Sequence, residues 1–295
     1  MNTFFFHRTV HPQWLVALRV GTGGILLLAH LAQLADLPQL YGATPLVGHE
    51  LLAVAAEVPL VLPYQPAVHS YLHLALCVLL CIGAGTRVVA ALLLLQHASL
   101  YTALPQFSYG FDYFCVSALF YCLIFPTGHY YSVDRIVFHL SPSRWVTPSL
   151  RVLQLHLCVV YCFAGWLKAI GPTWRNGDAV WKAYQLPAFA GWGHLDLAWL
   201  GNYPIFWAIL GWAVIVVETA YPLCMWLARL RPYWLLATVG LHAGIAIFMG
   251  LYEFSAMMIL LNLCAFQLPY RPFNRIASLG VSKPAPSFAC DLEDT

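Results

Sequence analysis

The sequence LQLHLCVVYCFAGWLKAI, residues 153–170, decides the fold class, because within it only Lys168 carries a charge at neutral pH. A run of this length without proline is close to the roughly 20 apolar residues that cross a bilayer as a helix. Gly171 and Pro172 follow directly and predict its end. An ammonium inside such a span costs about 2.5 to 3.5 kcal/mol on insertion scales, so Lys168 is a candidate functional residue.

The composition of the whole chain agrees with a membrane-spanning segment. Of the 295 residues, 61% are hydrophobic and only 9% are charged, and the mean hydropathy is +0.72. Soluble domains carry about 25% charged residues. The sequence therefore predicts an integral membrane protein whose main partner is the lipid bilayer, and it gives no reason to expect a nucleic-acid partner.

Apolar runs separated by turn residues predict an all-α, polytopic membrane bundle with about eight transmembrane helices. None of these segments has the alternating pattern that is typical of strands. The predicted helices are 13–36, 68–85, 87–104, 110–127, 149–171, 204–227, 232–250 and 253–268.

The basic residues predict the orientation, since cytoplasmic loops carry an excess of Lys and Arg. The odd-numbered loops hold only Arg175 and Lys182, whereas ten basic residues lie in the N-terminus, the even-numbered loops and the C-terminal tail. Both termini are therefore predicted to be cytoplasmic. The domain limits are a cytoplasmic N-terminus 1–12, a membrane domain 13–268 and a polar cytoplasmic tail 269–295. A bacterial inner membrane with the active face outward is expected.

Charged side chains in or near the predicted spans are the next candidates for function. Arg19, Lys168 and Glu218 lie within spans, and Asp112 and Glu253 lie near span ends. Intramembrane ions pair with one another or line a wet cavity. One hypothesis is a structural ion pair between Arg19 and Glu218, and Asp112 and Glu253 are both possible partners for Lys168.

Lys168 itself allows two interpretations from its position one turn before the predicted helix end. It either extends along the apolar surface to reach water or stays desolvated at the floor of an outward cavity. Desolvation disfavours the ammonium form, which is how a lysine becomes a usable general base.

Cysteines and histidines are the residue types that could form a redox or metal site. Cys77/Cys81 and Cys158/Cys162 are i,i+4 pairs, but none of the nine cysteines forms a C-x-x-C motif. Free cysteines pack well in apolar interiors. His69 and His73 could share a helix face, yet no third ligand is spaced beside them, so no metal site is predicted.

The stretch Tyr161-Cys162-Phe163-Ala164-Gly165-Trp166-Leu167-Lys168, with Trp174 beyond it, resembles a motif of the vitamin K-dependent gamma-carboxylases and their bacterial relatives, the HTTM-domain family. The block 129–134, HYYSVD, is similar to a short cytoplasmic motif of that family. Two looser blocks agree in order, namely Leu18-Arg19 with a helix leading to Tyr41, and 218–222 followed by 242–250. The resemblance covers most of residues 13–268.

This resemblance implies a site and an activity. Lys168 would be the catalytic base that deprotonates vitamin K hydroquinone or menaquinol, with oxygen and carbon dioxide as co-substrates and a peptide glutamate as acceptor. His242 matches a family histidine that would orient a quinone oxygen or stabilise an anion. Tyr161, Trp166 and Trp174 are the expected cofactor-binding residues, and a secreted peptide or protein is the expected substrate.

Departures from the family leave other functions open. The carboxylases have a large luminal portion after the helices, whereas here only residues 269–295 follow the last one. One alternative is a non-carboxylating maturation or export factor for a secreted peptide. Another is a quinone-linked membrane redox protein, which the paired cysteines suggest and the missing C-x-x-C motif disfavours. The remaining case is a purely structural membrane protein, which predicts Lys168 in a salt bridge with no adjoining cavity.

Overall fold

The computed structural model describes residues 10–36, 66–103, 108–185 and 198–266. Within these ranges all regular structure is helical, which confirms the all-α prediction. The polar tail 269–295, residues 1–9 of the N-terminal segment and Tyr41 lie outside the described residues. The α-helices are α1 Gln13–Gln33, α2 Pro66–Ile82, α3 Thr86–Ala103, α4 Gly110–Ile124, α5 Val133–Val137, α6 Val146–Ile170, α7 Pro172–Arg175, α8 Asp178–Gln185, α9 Pro204–Thr219, α10 Tyr221–Trp226, α11 Arg231–Met249 and α12 Tyr252–Ala265.

Each of the eight predicted segments is helical, and most ends agree to within one turn. The exception is 204–227, which is split at Ala220 into α9 and α10. Pro222 explains the break, because proline lacks the N–H that would bond to the carbonyl of Glu218 and its ring crowds that carbonyl. Glu218 therefore lies in the last turn before an interruption in the helix.

Several helices are suited to a membrane. Helices α1, α6 and α11 are long and apolar enough to cross one, and α4, α9, α12 and residues 68–82 of α2 are shorter apolar helices. Large apolar side chains cover much of the outside of the bundle, for example Leu28, Phe163 and Leu236. This surface is suited to lipid, because soluble monomers rarely expose contiguous apolar patches of such extent.

The helices pack as two groups joined by α12. Helix α1 packs on α2, and α3 packs on α4, which form the first group. Helix α6 packs on α9, and α10 and α11 complete the second group. Helix α12 contacts α1 and α4 on one side and α6 and α11 on the other, so it lies at the centre of the bundle.

A polar junction closes one end of the first group. Arg19 is 1% exposed, and its guanidinium donates to the carbonyls of Thr127, Tyr130 and Tyr131 at 2.8, 3.1 and 2.6 Å. Gly83 has φ +73°, and a Cβ there would meet Arg19 Nη1 at 2.7 Å, so this turn requires glycine. The predicted Arg19–Glu218 ion pair is wrong, because backbone carbonyls from the 127–131 segment already hold the guanidinium.

Asp134 strengthens the same junction from the opposite side. Its carboxylate accepts hydrogen bonds from the backbone N–H groups of Gly85 and Thr86, at 2.6 and 2.8 Å, where α3 begins. Burial alone would raise the pKa of Asp134, but the hydrogen bonds from Thr86 and Gly85 and the charge of Arg19 lower it below its ordinary value. The HYYSVD block thus joins the loop before α3 to the loop after α4.

Candidate functional site

Lys168 forms an ion pair with Glu218 between α6 and α9. Lys168 Nζ lies 2.7 Å from Glu218 Oε2, and the two side chains are only 22% and 10% exposed. Both predicted partners are engaged elsewhere, since Asp112 Oδ1 lies 3.2 Å from His97 Nε2 and Glu253 Oε2 accepts a bond from Tyr109 OH at 3.3 Å. Lys168 is therefore paired inside the bundle, and the alternative in which it extends freely to water does not describe it.

Gly165 is what brings the two helices close enough for this pair. A Cβ on Gly165 would lie 2.6 Å from both the backbone N and Oγ1 of Thr219, the residue after Glu218. Residues three apart share a helix face, so Gly165 and Lys168 both point toward α9. The Ala-Gly pair of the sequence motif thus has a packing reason, because a larger residue at 165 would separate Lys168 from Glu218.

Trp174 forms the second contact of the ammonium. Lys168 Nζ lies over the Trp174 ring, 5.1 Å from its centroid, within the range of a cation–π interaction. The chain beyond Lys168 then runs along α9, with Trp174 packed on Gly211 and Gly177 packed on Trp207. The 11 residues from 207 to 218 correspond to about 16 Å of helix, so Lys168 is well inside the bundle rather than at its outer end.

A second polar cluster lies seven residues before Lys168 on α6. Asn262 Nδ2 donates to Tyr161 OH at 2.8 Å and to the Met258 carbonyl at 2.8 Å, and Asn262 Oδ1 accepts from Tyr221 OH at 2.7 Å. Tyr161 OH lies 2.7 Å from His242 Nε2. The rings of Tyr161 and Tyr221 stack with centroids 4.1 Å apart.

The bond between Tyr161 OH and His242 Nε2 has a donor that depends on the tautomer of the ring. When Tyr161 OH donates its own proton to Nε2, His242 Nδ1 carries the ring hydrogen. Among the described residues, His242 Nδ1 has no hydrogen-bond partner although the residue is 3% exposed. A buried donor without a partner costs about 1–3 kcal/mol, so this N–H is available to an oxygen atom of a bound ligand.

The two clusters lie on the same helix, with Tyr161 seven residues, or about 10 Å, before Lys168 on α6. The structure places Trp174 against Lys168 and His242 against Tyr161. Four of the five residues predicted from the resemblance therefore lie in these two clusters. Trp166 is not with them, because its side chain is 60% exposed on the outer face of α6.

Two members of the site, Tyr221 and Asn262, were not singled out individually from the sequence. Glu218 was a candidate, but with Arg19 as its expected partner. Asn262 carried a usable signal, since it is a lone amide in the apolar helix α12 and polar residues in such helices face the bundle interior. Its link to Tyr161, however, joins residues 101 positions apart.

Comparison of the chain with protein-family models, with curated proteins and with solved structures finds no match in any of the three. The resemblance to the gamma-carboxylase relatives therefore stays a prediction from the sequence motifs.

Proposed function

We propose that the protein is an integral membrane protein with eight spans, both termini in the cytoplasm and the active face outward, in a bacterial inner membrane. The ten-to-two distribution of basic residues supports this orientation. The bonds of Asp134 to Gly85 and Thr86 connect the loop after α2 with the loop after α4. Both are even-numbered loops, which the topology places on the same side.

Within that membrane domain, the protein is a gamma-carboxylase-like enzyme that works by proton transfer at Lys168. The observation that carries this proposal is the 2.7 Å hydrogen bond between Lys168 Nζ and Glu218 Oε2. It joins a half-buried lysine on α6 to a buried carboxylate on α9. A lysine and a carboxylate in direct hydrogen-bond contact can exchange a proton.

The proposed ligand is a hydroquinone, whose oxygen atoms would meet His242 and Lys168. Among the described residues, His242 Nδ1 is buried without a hydrogen-bond partner, and the Trp174 ring lies next to Lys168. When bound, vitamin K hydroquinone or menaquinol would react with oxygen, carbon dioxide and a glutamate of a secreted peptide. The products would be the quinone epoxide, gamma-carboxyglutamate and water.

In this mechanism the residues of the protein would transfer one proton and hold one oxygen atom of the ligand in place. Lys168 passes its proton along the hydrogen bond to Glu218, and the neutral amine then accepts a proton from a ligand hydroxyl. His242 donates its Nδ1–H to a ligand oxygen, while Tyr161 and Asn262 hold its ring in the required tautomer. Trp174 covers the ammonium and limits its contact with water.

The test uses the full chain in lipid nanodiscs with vitamin K hydroquinone, oxygen, labelled bicarbonate and a glutamate-containing peptide. Epoxide formation and label incorporation are measured separately. Loss of a general base reduces rates by about 10²- to 10⁴-fold. The rate of epoxide formation by Lys168→Met is therefore expected to fall by that factor. Lys182→Met is the matched control, because Lys182 pairs with Asp178 in an exposed i,i+4 contact.

Two results would overturn the proposal. One is an unchanged epoxidation rate in a Lys168→Met variant whose size-exclusion profile is that of a folded protein. The other is the absence of epoxide from the wild-type protein at hydroquinone concentrations that saturate binding. Epoxide without incorporated label would retain the proton-transfer role of Lys168 and exclude carboxylation of that peptide.

A further inference from the structure

The connection between α4 and α6 exposes an unusual number of large apolar side chains. Within it, the 131–145 segment has five such side chains that are at least 50% exposed, namely Tyr131, Ile136, Val137, Phe138 and Trp145. Three of the five follow one another directly in the chain. Apolar surface of this kind, bordered by polar residues, commonly marks a contact with a membrane or with another protein.

The same segment is bonded to the bundle and to itself, so its apolar side chains are presented from a held backbone. Asp134 is buried and accepts from the backbone N–H groups at the start of α3. The two ends of the connection are also joined. His129 Nδ1 lies 2.9 Å from the carbonyl of Ser141, and the backbone N–H of Ser143 donates to Tyr130 OH at 2.9 Å.

The charges of the segment are complementary to an anionic surface. Arg135 and Arg144 are exposed, and within the described ranges neither guanidinium forms an ion pair. Arg135 lies over the Tyr130 ring and Arg144 over the Trp145 ring, 5.9 and 5.5 Å from the ring centroids. Asp134 is the single acidic residue in the sequence of the segment, and its carboxylate is already bonded at the start of α3. Both arginines therefore keep their hydrogen-bond donors for an acceptor outside the chain.

The position of the segment in the fold indicates which surface it meets. It belongs to the connection between two apolar helices, since α4 ends at Ile124 and α6 begins at Val146. Ile124 and Val152 are exposed on these helices, whose outer surface is suited to lipid. A connection between two membrane-spanning helices lies near the depth of the lipid headgroups, where tryptophan is enriched. The segment therefore continues the lipid-facing surface into the headgroup region.

We propose that the 131–145 segment lies on the cytoplasmic leaflet and binds the headgroups of anionic phospholipids. Ile136 and Phe138 enter the boundary between headgroups and acyl chains, as in other interfacial segments that combine apolar and basic residues. Arg135 and Arg144 donate to phosphate oxygens, which match the planar guanidinium. The inference rests on the proposed membrane topology and is independent of the proposed enzyme activity.

The test places the photo-crosslinking residue p-benzoylphenylalanine at position 138 of the full chain. The protein is incorporated into nanodiscs that contain equal amounts of phosphatidylglycerol and phosphatidylcholine with the same acyl chains. Mass spectrometry after irradiation counts the adducts of each lipid. One basic residue near an anionic surface favours it by about 5-fold, so we expect at least about 5-fold more phosphatidylglycerol than phosphatidylcholine adducts. High salt should reduce this ratio, because it screens the attraction.

The variant Arg135→Gln/Arg144→Gln should give nearly equal adducts of the two lipids. Its matched control is Arg175→Gln/Lys182→Gln, which removes two charges from exposed positions on the opposite side of the proposed topology. The control should keep the ratio of the unsubstituted chain. If the double arginine variant does not fold, each single arginine variant takes its place, with a smaller fall in the ratio.

Three results would overturn the proposal. They are equal adducts of the two lipids in the chain with both arginines, a ratio that the arginine variants leave unchanged, and irradiation of native membranes that links position 138 to a second protein rather than to lipid. Lys168→Met should keep the preference for phosphatidylglycerol while losing epoxide formation. The lipid site and the enzyme activity can therefore fail separately.

Discussion

Arg19 and Lys168 both lie inside apolar helices, and their surroundings differ in kind. Arg19 in the first helix group is held by three backbone carbonyls, which cannot change protonation state. Lys168 in the second group is held by the carboxylate of Glu218 and the ring of Trp174. Arg19 thus has partners that fix geometry, whereas Lys168 has a partner that can take its proton.

This difference separates a structural charge from a candidate catalytic one. The guanidinium is charged at all relevant pH values and its planar fork can bond several acceptors at once. Lysine offers a compact ammonium that becomes neutral more readily when it is buried. The depth of a charge in an apolar helix is therefore a weaker indicator of function than the chemistry of the group that satisfies it.

The largest expected effect is on the structural cation. Arg19→Lys keeps the charge but loses the fork, so at least one of the carbonyls of Thr127, Tyr130 and Tyr131 is left buried without a donor. We expect a loss of about 3–5 kcal/mol in the free energy of unfolding, measured by thermal unfolding in detergent. Arg144→Lys, at an exposed position, is the control, and equal stability of the two variants would remove the structural role of Arg19.

A double-mutant cycle gives the next largest effect, at the catalytic candidate. Lys168→Met alone leaves the Glu218 carboxylate buried without its cation, at a cost of about 2–3 kcal/mol in unfolding free energy. Adding Glu218→Leu should recover most of that stability, since two apolar groups can replace a buried pair, while activity stays lost. Additive losses in the double variant would show that the two side chains do not interact.

Gly165→Ala tests the close approach that positions the pair. The new methyl group would lie 2.6 Å from the backbone N of Thr219, which cannot rotate away. Overpacking of this kind lowers the free energy of unfolding by about 1–3 kcal/mol. We also expect lower activity, because the larger side chain would move Lys168 away from Glu218. Gly24→Ala is the control, because a Cβ there meets nothing within 4 Å. Equal thermal midpoints and rates in both variants would contradict the packing argument.

The smallest effect is the acid sensitivity of the junction at Asp134. Its pKa is lowered in the folded state, despite burial, by the bonds from Thr86 and Gly85 and by Arg19. The resulting stabilisation is fully present above the ordinary pKa of about 4 and is lost as the pH falls through the lower folded-state value. Thermal midpoints measured from pH 6 down to 3 should fall less steeply in Asp134→Asn than in the wild type.

Several features followed from the sequence because they depend on local patterns. The helices from Gln13–Gln33 to Tyr252–Ala265 were predicted to within about a turn, since apolar run length and turn residues act over short distances. The interruption at Ala220 was missed, although Pro222 signalled it. The motif around Gly165 and Lys168 was found, whereas the partner of Lys168 was not, because charged residues in separate spans offer no local sign of their pairing.

The sequence by itself determined that the chain is helical, apolar and provided with a lysine whose position in a predicted span needed an explanation. Only the tertiary structure decided which carboxylate meets that lysine and which histidine contacts Tyr161. The physical reason is that a helix forms through backbone hydrogen bonds between residues four positions apart. The site instead depends on how close the helices can pack, which Gly165 controls through a contact with Thr219, 54 positions further along the chain.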